Sequence, residues 1–117
     1  MARYRLSPPA KADIAALLRN SETVHGAEAR VRHRALLSAA LRRIAADPQG
    51  RSTVDHSELF AGVRSFHIRH GRSESREPPV GRPVHLIFYR VAEPGVIDIV
   101  RVLHERMEPS RHIDDQT

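Results

Sequence analysis

Val84-His-Leu-Ile-Phe-Tyr-Arg-Val-Ala-Glu-Pro-Gly-Val-Ile-Asp-Ile-Val-Arg-Val-Leu103 is the stretch on which the fold turns. Val84, Leu86 and Phe88 alternate with Ile87, Tyr89 and Val91, so both faces of the first run are apolar. That pattern belongs to an interior strand covered on each side. Glu93-Pro94-Gly95 supplies a tight turn into Val96–Leu103, so the two runs read as a hairpin. A third strand is expected over Val63–His70. Between it and the hairpin, residues 70–83 are rich in Arg, Ser, Glu, Gly and Pro. Such a composition has little apolar surface to bury, and a long, mobile hairpin loop is expected there.

Upstream, Ala2–Leu6 alternates polar and apolar residues and predicts a short strand, followed by Ser7-Pro8-Pro9, a helix cap with Pro in the first turn. Ile14, Leu17 and Leu18 share one helical face, and Gly26 ends that helix or its turn. Over Ala27–Ala46, Leu37, Ala40, Leu41 and Ile44 form a second stripe, stopped by Asp47-Pro48-Gln49-Gly50. Residues 51–58 read as a polar link. The expected fold is α+β, with two antiparallel helices packed on a small, mainly antiparallel sheet. The expected order is strand-helix-helix-strand-strand-strand, in one domain over residues 1–117 that ends in a basic segment, 104–117.

With 19 Lys+Arg against 14 Asp+Glu, the net charge is +5, and the basic residues are almost all arginine. Arginine forks onto carboxylates and phosphates, so an acidic partner is expected: a nucleic acid, a nucleic-acid complex or an acidic polypeptide. The absence of Cys excludes disulfides and thiolate zinc sites. No signal-peptide or membrane-spanning run is visible, and a cytoplasmic protein without membrane contacts is expected. The neighbouring pairs His67/His70 and His104/His112 lack a carboxylate at ligand spacing, so neither a metal nor a cofactor is expected.

Four blocks in order, Tyr4–Ile14, Gly62–Phe66, His85–Arg90 and Ile99–His104 with Arg111-His112-Ile113, resemble the RelE/ParE toxins, most closely the ParE branch. The resemblance covers nearly the whole chain, and the 70–83 insertion departs from the tight hairpin usual in the family. It implies a toxin of a type II toxin–antitoxin system of the plasmid-stabilisation kind, neutralised by a cognate antitoxin. For the ParE branch it implies inhibition of DNA gyrase. The alternatives are a RelE-type ribosome-dependent mRNA endonuclease and an inactive antitoxin-binding homologue.

Cleavage of RNA needs a base, an acid and cations on the phosphate. For that chemistry the candidates are Arg64, Arg90 and His104. RelE-branch nucleases commonly carry a Tyr near the C-terminus, whereas the tyrosines here, Tyr4 and Tyr89, fall in expected strands. A non-enzymatic toxin is therefore the preferred reading. Its target- or antitoxin-binding residues are expected to be Arg64, Arg90, Arg101, His104, Arg106, Arg111 and His112, and of these Arg101, His104, Arg106, Arg111 and His112 are expected to gather positive charge near one edge of the sheet. Arg64 and Arg90 can equally serve structure by pairing with a carboxylate such as Asp98, and His104 by capping the sheet.

Overall fold

Ser7 fixes the entry to the first helix. In the computed structural model, which describes residues 2–75 and 80–113, its Oγ accepts the Ala10 N–H at 3.1 Å and donates to the Val100 carbonyl at 2.8 Å. One side chain thus caps a helix and pins it to the sheet. Strand β1 (Arg3–Leu6) leads into α1 (Pro8–His25), and Gly26, at φ 94°, turns the chain into α2 (Ala27–Ala46). Strands β2 (Thr53–Asp55), β3 (Val63–His67), β4 (His85–Glu93) and β5 (Val96–His104) follow. Two 3-10 helices, Ile68–Glu74 and Pro109–Arg111, complete the described elements.

The five strands form one sheet in the order β1-β5-β4-β3-β2, with β1 parallel to β5 and the other pairs antiparallel. The helix pair covers one face. Leu17, Leu18, Leu36, Leu37, Leu41 and Ile44 meet Phe66, Ile87, Tyr89, Ile97, Ile99 and Val102 there. On the opposite face Val63, Phe88, Val100, Leu103 and Ile113 form a second cluster, flanked by Leu59, Phe60 and Leu86. The two apolar faces of β4 are accounted for by these two clusters. Ile99 and Val102 lie three residues apart yet share the helix-side core. A bulge reconciles them: Phe88 pairs with Arg101 and Tyr89 with Ile99, so Val100 is the extra residue.

Two expectations are corrected. Residues 51–58 contain the edge strand β2, so the order gains a strand. Three residues carry no readable alternation; β2 is held by its antiparallel register with β3 and by Arg64, whose Nε and Nη2 donate to Thr53 Oγ1 at 3.2 and 2.9 Å. The loop expected at 70–83 is the other. Its first part belongs to the 3-10 helix Ile68–Glu74, which packs on α2. Gly71 is buried, and a Cβ built there would stand 3.1 Å from the Ala40 backbone nitrogen. Arg43 donates to the His70 carbonyl at 3.3 Å and to Glu74 at 3.2 Å, and Val80 is buried in the main core. A glycine against an alanine-rich helix packs through backbone approach, which apolar composition does not register. The remainder of the expected loop, 76–79, lies outside the described residues.

Candidate functional site

The residues singled out in the sequence occupy two ends of the sheet. At the β4–β5 hairpin end, Arg90 sits 5.5 Å over the Phe60 ring and 4.0 Å from Asp98, which also takes Arg5 at 2.8 Å. Arg64 neighbours this group, paired across the strands with Tyr89, and is engaged by Thr53 rather than by Asp98. His104 lies at the far end of the same sheet, opposite His85. His85 and Arg90 are five positions apart along β4, about 17 Å at strand rise. Arg64 and Arg90 therefore stand toward the opposite end of the sheet from His104.

Arg101 is occupied. Its Nε and Nη2 donate to the Asp13 carboxylate at 2.7 and 2.9 Å, and its Nη1 donates to the His112 carbonyl at 3.0 Å. Asp13 also accepts the Val102 N–H at 2.9 Å. The bulge at Val100 puts Arg101 where it ties α1, β5 and the C-terminal segment together. Ile113 anchors that segment in the second core, leaving Arg106 and Arg111 exposed and His112 half-buried. Of the residues expected near this edge, Arg101 is neutralised by Asp13, while Arg106 and Arg111 stay exposed beside it.

A different constellation emerges beside His104. Between α1, α2 and the adjoining ends of β4 and β5 lies a cleft of about 440 Å³, lined among others by Asp13, Leu17, Ser21, His25, His33, Arg82, His85, His104 and Met107. His85 and His104 face each other across the antiparallel ladder, with ring centroids 5.5 Å apart and planes at 73°. His33 Nδ1 shares a 2.9 Å hydrogen bond with the buried Ser21 hydroxyl. His104 Nδ1 accepts the Arg106 N–H at 3.0 Å, which puts the proton of the neutral ring on Nε2. Nearby, His67 and Glu105 pair at 2.9 Å, and that hydrogen bond holds the Glu105 carboxyl below its ordinary value.

Burial, and then the charges of His104, His33 and His67, push His85 down from 6.5 to about 4, against a smaller upward pull from Asp13. Burial likewise lowers His33. His85 therefore binds a proton less readily folded than unfolded, so its stabilising contribution is full above 6.5 and is lost as pH falls toward 4. Allowing for partial exposure, stability should fall by about 1–2 kcal/mol between pH 7 and 5 through this group. Urea unfolding of the parent and His85→Phe at both values checks this. The variant should lose most of that difference, and parallel pH profiles would contradict the assignment.

His25, His33 and His85 were not expected at a site. The His85–His104 pairing was readable: counting outward from Glu93 opposite Val96 places residue 85 opposite 104, because the two irregularities along the ladder offset each other. Among the described residues, no three His, Cys, Asp or Glu side chains converge as a metal site, and no helix is long and apolar enough to cross a membrane.

A helix pair on one face of a five-stranded sheet, with arginine pairs at one end and a histidine-lined cleft at the other, makes this a small basic α+β domain. Residues 4–109 match the family described as the ParE toxin of the type II toxin–antitoxin system parDE, and the chain belongs to that family. It is 31% identical over 111 residues to Toxin ParE1 of Mycobacterium tuberculosis, in strains CDC 1551 / Oshkosh and ATCC 25618 / H37Rv, covering 95% of this chain and 97% of each relative. Membership implies an antitoxin partner.

Proposed function

We propose that this chain is a growth-inhibiting toxin that acts in the cytoplasm by binding DNA gyrase, and that a cognate antitoxin neutralises it. The observation that carries the reading is the dispersal of the cleavage candidates: along the sheet, Arg90 lies about 17 Å and Arg64, opposite Tyr89, about 13 Å from the His85–His104 position. The aromatic residues give cleavage no further support. Tyr89 is buried with its hydroxyl donating to the Pro48 carbonyl, and Tyr4 lies on β1 at the sheet edge. A protein that binds rather than cleaves spreads its energy over several anchors, and truncating one usually costs about 1–4 kcal/mol.

One observation favours a second reading, mRNA cleavage of the RelE type. His85 and His104 form an imidazole pair with Arg82 lining the same cleft, and such a pair could move protons at a phosphate. Induction without antitoxin distinguishes the two. The gyrase reading expects DNA-damage signalling, with His104→Ala still at least partly toxic. Codon-phased mRNA cuts that vanish in His104→Ala would replace it with the second.

A further inference from the structure

The histidine-lined cleft is more specific than a general basic surface. Its Asp13 carboxylate is already engaged by the Arg101 guanidinium and the Val102 N–H, so its charge is largely neutralised. His85 Nδ1 is enclosed and has no partner among the described residues. A bare acceptor is tolerated better there than a bare N–H, so the proton of neutral His85 belongs on Nε2. His104 reaches the same tautomer through the Arg106 N–H. Both rings therefore offer an Nε2–H as donor to a cleft that Arg82 also lines, while Leu17 and Met107, the latter 45% exposed, supply apolar walls.

We propose that this cleft is the docking pocket for an acidic side chain of the antitoxin, its carboxylate held between the His85–His104 pair and Arg82. The inference rests on the toxin–antitoxin reading. Charge complementarity selects the occupant: donors line the pocket, the acid within it is already engaged, and the whole chain carries +5. A carboxylate accepts from several donors at once, and its stem suits the apolar wall.

Proton uptake follows from this placement. His85 is faced by His104 from β5, His33 from α2 and His67 from β3, with Asp13 of α1 as the opposing charge. Arg101 already cancels much of Asp13, as Glu105 does for His67. His25 and Arg82 line the same cleft. Within the free toxin, positive neighbours thus outweigh negative ones around the ring. An arriving carboxylate reverses that balance and favours the imidazolium, so the complex takes up a proton from solvent and tightens as pH falls.

Calorimetry of the full-length toxin with its full-length co-encoded antitoxin, at pH 6 in two buffers of different ionisation enthalpy, tests the pocket. Uptake of roughly 0.5–1 proton per toxin is expected, with Kd tightening on the order of fivefold from pH 7.5 to 6. Arg82→Ala, at an exposed position, and His104→Gln should each weaken binding about tenfold, and His104→Gln should reduce the uptake. Tight binding with no uptake and unchanged Kd in both variants would overturn the pocket and leave the toxin–antitoxin reading standing. No binding by the parent at micromolar concentration at any pH would overturn both.

Discussion

Asp13→Ala should destabilise the protein by about 3 kcal/mol, a large share of the roughly 5–15 kcal/mol that holds a domain of this size. The carboxylate is 15% exposed and its Arg101 partner 21%, so solvent does little to screen the pair. Removing Asp13 strands a largely buried guanidinium and frees the Val102 N–H beside it. The loss extends to the C-terminal segment, because the Arg101 geometry that reaches Asp13 also reaches the His112 carbonyl. Glu22→Ala is the control. It severs the Arg30–Glu22 pair, equally short at 2.8 Å but 36% and 47% exposed, and should cost less than about 1 kcal/mol. Urea unfolding of both variants decides; equal midpoints would contradict the structural role of Asp13.

Replacing residues 70–83 with Asn-Gly should be the most damaging change short of a core deletion. A two-residue turn can join antiparallel strands, and on composition alone the replacement should be harmless. The structure predicts otherwise. The exchange removes Val80 from the main core, deletes the Gly71 contact with Ala40 and removes the His70 and Glu74 acceptors from Arg43. It also uncovers Ala39 and Ala40, both fully buried in the intact chain. Val80 alone is worth about 1.5–3 kcal/mol, and the uncovered helix face adds to it. A broad thermal transition, or one lowered by well over 10 °C, is expected at such a loss. A sharp transition within a few degrees of the parent would mean that the segment contributes little.

Much of the fold was legible because its elements carry strong local signals. Gly26 and Asp47 bracket α2 with apolar residues at helical spacing between them, and β4 declares both of its faces by its alternation. What escaped lacks such a signal. Strand β2 is three residues long and depends on its register with β3, and the 3-10 helix packs through a glycine. For the site, residue type was a poor guide and partner geometry decided. Arg101 resembled the other arginines until Asp13, 88 residues away in sequence, was found to hold it. His104 was singled out on its own, whereas its environment comes from His85, which hairpin register places opposite.

Inhibition of gyrase by the purified toxin is the most direct test of how the protein acts. Supercoiling of relaxed plasmid is followed beside trapped cleavage complexes, while a reporter mRNA is translated in parallel and its ends mapped. Inhibited supercoiling and trapped complexes with intact mRNA are expected, reversed when antitoxin is added first. Unimpaired gyrase together with codon-phased mRNA cuts would overturn the gyrase reading.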